Sequence, residues 1–353
     1  MEDLIKYRAE LMGMAIGWII LFHANIAIPN TVFPLRFIHD IGYAGVDVFF
    51  LLSGIGLVCS ISKDNSLIRF YKKRVFRILP VFWICLVFFT LKNSALNGFD
   101  AAKSLLPYFG LDFLIFGNME FWFIPSILLC YLVFPVYYSL SEKYGPGKCL
   151  VTVSMCALAF SILAIGTRFS NHMIFSIRFP VFIFGVYIGM LLLNRRGTLL
   201  SNIWLNSGLL IASTAALFMI IQNTSPEYRW HTGLWWYPTI IMAFPLSLLT
   251  GSFLSSVLPS CPRAGSILQL LGTHSLELYL IHVFLFSLAN VLPFKGVDWN
   301  LLRIPEYLMY TLCALGLSIL LRRSLHKMHG APAALNAGKT IPGACLVNVK
   351  KEC

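Results

Sequence analysis

Two histidines, two acids and a group of arginines stand out in a chain that is otherwise largely apolar. His23 lies in LMGMAIGWIILFHANIAIP, Leu11 to Pro29, and about 20 apolar residues at 1.5 Å rise cross the hydrocarbon of a bilayer. Ionisable groups at such depth are costly and mark functional sites by default. A neutral imidazole can take a proton from an attacking hydroxyl, which makes His23 a candidate general base. The competing reading is a histidine near the outer interface that hydrogen-bonds a neighbouring helix. A second stretch, HSLELYLIH from His274 to His282, carries Glu277, Tyr279 and His282 in apolar surroundings. Together with His23 they imply a polar cavity inside the membrane. Asp47, in GYAGVDVFFLLSGIGLVCS, sits just inside the outer boundary, as an interfacial acid or as a partner for a cation or a sugar hydroxyl. In the same stretch Gly45, Ser53, Gly54 and Gly56 are small enough to let neighbouring helices approach closely.

The cations concentrate in FYKKRVFRILP, Phe70 to Pro80. Arg74 and Arg77 are three apart and share a helical face, a geometry that clamps phosphates. Arg69 and Lys73 stand beside them. The alternative is a topogenic charge cluster next to anionic head groups. Trp122, in EFWFIP, reads with Phe121 and Phe123 as an aromatic belt. The nine cysteines show no CxxC pair and no metal-type spacing, and read as small core residues, so no metal is expected. GxSxG, HExxH, GxGxxG and Walker patterns are absent from the sequence.

The elements that must position these residues follow from composition. Hydrophobic residues make up 58% of the chain and charged residues 12%, against about 25% charged in ordinary soluble domains; mean hydropathy is +0.77. The class is therefore an all-α, polytopic membrane protein. Spanning stretches recur near 11–29, 41–61, 76–91, 121–140, 149–166, 174–193, 203–221, 234–250, 275–293 and 302–321, about ten helices. The mixed segment between Lys92 and Asn118 is too short and too broken to span, and reads as re-entrant or interfacial. With a cytoplasmic N-terminus, 19 of the 27 Lys and Arg fall on the cytoplasmic side, so both termini are placed inside. This topology, with no continuous basic stripe, accounts for the net charge of +12 without nucleic acid. Residues 1–325 form one transmembrane domain, and 326–353 read as a poorly ordered cytoplasmic tail.

GVDVFFLLSG (Gly45 to Gly54), RVFRILP (Arg74 to Pro80), FWF (Phe121 to Phe123) with YLVFP (Tyr131 to Pro135), and YLIH (Tyr279 to His282) form an ordered set. In order and spacing that set resembles the membrane-bound acyltransferase type 3 family over about residues 8–325. The resemblance implies a multi-pass enzyme of the bacterial inner membrane that moves an acyl group, acetyl above all, from acetyl-CoA to a carbohydrate or lipid-linked glycan. Protein partners are not implied. It assigns His23 as base, with Asp47, Glu277 and His282 around it, and either Asp47 or Glu277 orienting His23. It assigns Arg74 and Arg77, with Arg69 and Lys73, to the CoA phosphates, and Ser53, Trp122 and Tyr279 to substrate. One departure stands out: the family's first helix carries Arg, ten residues, then His, and Met12 occupies the Arg position. Eleven residues are about three turns and 16 Å, so that Arg would meet the donor while the His meets the acceptor. Arg8, one turn lower, is the substitute, its long side chain reaching upward. A transporter or flippase, and a member that binds acyl-CoA without turnover, remain as alternatives.

Overall fold

A computed structural model describes residues 1–24, 26, 28, 32–98, 100, 104–194, 199–289 and 303–328. Among them the secondary structure is helical, with no strand. In chain order the helices are α1 Asp3–Lys6, α2 Arg8–His23, α3 Phe33–Asp40, α4 Gly45–Ile61, α5 Leu67–Asn97, α6 Leu111–Phe116, α7 Phe123–Tyr144 and α8 Pro146–Ala164. They continue with α9 Met173–Ser176, α10 Phe179–Leu193, α11 Ile203–Asn223, α12 Pro226–Thr232, α13 Trp236–Val257, α14 Pro262–Thr273, α15 Ser275–Ala289 and α16 Arg303–Met328. Among the described residues eight spans are long and apolar enough to cross a membrane. A ninth is the pair α14 and α15, bent by 74° at their junction. The chain is an all-α polytopic membrane protein.

Burial separates centre from periphery. The span containing α4 is 83% buried and that containing α10 is 78% buried, whereas α8 is 11% buried and α11 and α16 are 17% buried. The central pair closes because Gly54 meets the Phe182 carbonyl and the Val186 amide, while Gly185 meets the backbone of Leu51. Lipid supplies no hydrophobic drive between helices, so backbone approach at small residues does this work. The cysteines divide: Cys85 and Cys130 are buried, whereas Cys156 and Cys313, on the peripheral α8 and α16, and Cys261, before α14, are exposed rather than core residues.

Three elements differ from the sequence reading. The first helix ends at His23 instead of running to Pro29, so the histidine lies at a helix terminus. The short third helix is the long α5, 31 residues or about 46 Å at 1.5 Å per residue. It starts at Ser66, whose hydroxyl accepts from the Arg69 amide, and it carries Pro80 in its interior. The RVFRILP cations therefore ride on its first turns instead of preceding it. Before α15, where a loop was expected, α14 starts with Pro262 and packs along α2. The expected re-entrant or interfacial segment from Lys92 to Asn118 starts later than the sequence reading placed it: Lys92 to Asn97 are the last turns of α5, and beyond them the described residues form the short helices Leu106–Phe109 and α6. Of the expected tail, residues 329–353 lie outside the described residues.

Candidate active site

His23 and His282 meet although 259 residues separate them: His23 Nδ1 is 3.0 Å from His282 Nε2. The second contact of His282 assigns the protons. Its Nδ1 lies 2.8 Å from the Leu278 carbonyl, which only accepts, so Nδ1 carries the hydrogen and Nε2 the lone pair. His23 Nδ1–H then donates to that lone pair, and the lone pair of His23 sits on Nε2. Among the described residues Nε2 of His23 has no hydrogen-bond partner, and His23 is exposed while His282 is fully buried. The arrangement is an oriented imidazole whose basic nitrogen is unpaired among the described residues. Rings frame it: Phe22 lies against His23, and Tyr279 and Phe286 against His282.

At the opposite end of α2, about 22 Å away at 1.5 Å per residue, stands Arg8. Its Nε donates to the Leu52 carbonyl at 3.1 Å, and its guanidinium lies over Gly56 of α4, where a Cβ would be 3.1 Å from it. Arg74 and Arg77 of α5 lie within its electrostatic reach. Arg74 is folded back onto Phe70, donating to that carbonyl at 3.0 Å with its charge 3.9 Å from the ring centre. Arg77 is exposed and forms no ion pair among the described residues. Arg322 of α16 lies within reach of Arg77 as well. The starts of α2 and α5 and the end of α16 thus share one face of the membrane. Like charges so gathered repel, and an anion between them would remove the penalty. Arg69 stands apart, ion-paired with Asp64 at 3.0 Å on the surface, and Lys73 is exposed.

Neither acid orients His23, since the structure gives that contact to His282. Asp47 is fully buried, its Oδ1 3.1 Å from Nε of Arg178, a residue 1% exposed. Arg178 also donates to the Ile174 carbonyl and is boxed by the rings of Tyr43, Trp122 and Trp236. Trp122 is accordingly an interior residue facing a guanidinium rather than part of a belt. Glu277 faces Arg322 at 4.0 Å. Ser53 is buried on α4, one residue after the carbonyl that holds Arg8. Tyr279 packs between Phe123 and His282.

Sequence reasoning missed Arg178, Arg322 and His39. The first two had been counted only as topological charges. His39 Nε2 lies 3.0 Å from the carbonyl of Ala24, the residue after His23, and ties α3 to the end of α2. Among the described residues no three His, Cys, Asp or Glu side chains converge as a metal-ligand group.

A family model described as an acyltransferase domain matches residues 11–323, nearly the whole chain. The chain belongs to the acyltransferase 3 family. Comparisons with curated proteins and with solved structures found no match. Membership makes the chain a multi-pass membrane acyltransferase with an acyl donor and an acceptor.

Proposed function

We propose that this acyltransferase moves an acyl group, acetyl in the first instance, from cytoplasmic acyl-CoA to a hydroxyl of a cell-surface or exported carbohydrate, and that its membrane is the bacterial inner membrane. The observation that carries the reading is the His23–His282 pair, with the free Nε2 of His23 at one end of α2 and the arginines at the other. Nε2 takes the proton of the acceptor hydroxyl as its oxygen attacks the thioester carbonyl. The carbon–sulfur bond then breaks, and the leaving thiolate recovers that proton from His23. While His23 is charged, its Nδ1–H donates to His282 as a charge-assisted, and so stronger, hydrogen bond. Arg8, Arg74 and Arg77 hold the donor phosphates, Arg8 standing in for the family arginine that Met12 replaces. Arg69 and Lys73 draw the donor to the surface. Ser53 and Tyr279 border the path of the substrate, and Asp47 with Trp122 supports it through Arg178.

The test is the heat-stability shift given by acetyl-CoA to the full chain in lipid nanodiscs, paired with transfer of labelled acetyl to membrane glycans. Replacing Arg74 and Arg77 by Gln raises the apparent KM for acetyl-CoA roughly tenfold or more, at about 1.4 kcal/mol per decade. Unchanged donor kinetics would leave both as topology residues. A shift without transfer would favour a member that binds acyl-CoA without turnover, the reading to which Met12 points.

A further inference from the structure

We infer that Glu277 and His274, at the break between α14 and α15, form a hydrogen-bonding subsite that receives the uncharged, amide-bearing arm of the acyl donor. This rests on the acyl-CoA reading above. Glu277 Oε1 faces Arg322, but among the described residues buried Oε2 has no hydrogen-bond partner, and neither has the buried Nδ1 of His274. Glu277 is 4% and His274 9% exposed. Buried polar atoms are normally satisfied, and unmet ones signal a missing ligand or water. The two belong to one cluster, since the charges around His274 are Arg322, Glu277, Arg323 and Arg77.

The chemistry selects the occupant. Glu277 Oε1 already faces Arg322, and the remaining oxygen, Oε2, can only accept, so this place suits an N–H or O–H donor. The anionic part of the ligand has its own place at Arg8, Arg74 and Arg77, and Arg77 is a neighbour of both groups. The reactive part has its place at His23 and His282. Glu277 precedes His282 by five residues on α15, about 7.5 Å along the axis and about 140° round it, so Glu277 faces Arg322 while His282 faces His23, and the arm must wrap part of α15 to reach both. Phosphate cations, then unpaired hydrogen-bonding atoms, then a base match a donor that is anionic at one end, carries amides and a hydroxyl along its middle, and ends in a thioester. Glu277 takes a donor N–H or O–H on Oε2, and His274 Nδ1 bonds an adjacent amide.

The experiment uses the full chain in nanodiscs and two fragments of the donor as competitors of acetyl-CoA: pantetheine, which lacks phosphates, and adenosine 3′,5′-bisphosphate, which lacks the arm. Glu277→Leu and His274→Ala each weaken pantetheine about tenfold, the effect of one lost buried hydrogen bond, and leave the bisphosphate unchanged. Glu277→Gln, which keeps an acceptor oxygen, restores most of the pantetheine affinity. Arg77→Gln gives the converse pattern. Equal pantetheine affinity in wild type and variants overturns the subsite. So does a loss shared equally by both fragments, which marks Glu277 as merely the counter-ion of Arg322. If acetyl-CoA and both fragments fail to bind the folded wild-type chain, the acyl-CoA reading fails as well, a result separate from the other two.

Discussion

His282 gives His23 a direction. Alone at a helix end, an imidazole has two tautomers and a free rotor; the Leu278 carbonyl sets the proton on His282, and His282 sets it on His23. Replacing His282 by Leu should lower kcat by roughly 10² to 10⁴, the range of positioned acid–base catalysis, with little change in donor KM. His282→Gln, whose carbonyl can still accept from Nδ1–H, should recover part of that loss. Equal activity in the Leu variant and the wild type would remove His282 from the mechanism. Asp47 calls for a different test, because it is one half of a buried ion pair with Arg178. Breaking such a pair costs about 3–5 kcal/mol, so Asp47→Ala should lose folded protein. The double variant Asp47→Leu, Arg178→Met removes both charges and should fold and retain transfer; a folded but inactive double variant would instead assign Asp47 to the chemistry. His23, Asp47, Glu277 and His282 were legible because a polar group in an apolar run is conspicuous. Their partners were not, since Arg178 is 131 residues from Asp47 and His282 is 259 from His23, and pairing over such distances is decided by helix packing.

At the scale of elements, α2 is the axis of the site, and the contact that seats it is with α14. A Cβ at Gly272 would overlap the Ala9 carbonyl, and one at Gly13 the Leu268 carbonyl, all of them backbone atoms that cannot swing aside. Gly272→Ala should therefore destabilise by about 1–3 kcal/mol, as overpacking does, and reduce transfer by moving α2. Gly208→Ala, where nothing lies within 4 Å, should be neutral or stabilising by about 0.5–1 kcal/mol in a helix interior. Melting temperatures of the two variants check this; equal effects would mean that the α2–α14 contact is not seated as described. The long apolar helices were readable from hydropathy. The start of α5 was not, because the five cations Arg69, Lys72, Lys73, Arg74 and Arg77 read as a loop until Ser66 caps the helix that carries them. Nor was α14, whose mixed polarity, Pro262, Gly265 and Gly272 hide it, although Gly272 is what lets it lie against α2.

Across the whole molecule, the arginines of α2, α5 and α16 gather on one face, and the histidine end of α2 lies about 22 Å away. Composition alone conveyed an all-α membrane protein. What composition could not convey is which helices are central, because α4 and α8 are similarly apolar yet 83% and 11% buried. A transporter of inverted repeats would present broken helices in both halves; one bent pair is found among the described residues. The account treats α2 as a bridge between a donor site and a base, and the most direct measurement is acetyl transfer by nanodisc-embedded wild type and His23→Ala, beside the heat-stability shift that acetyl-CoA gives each. The account predicts that His23→Ala keeps the shift and loses transfer by at least about 10². Wild-type transfer in the folded His23→Ala variant would contradict it.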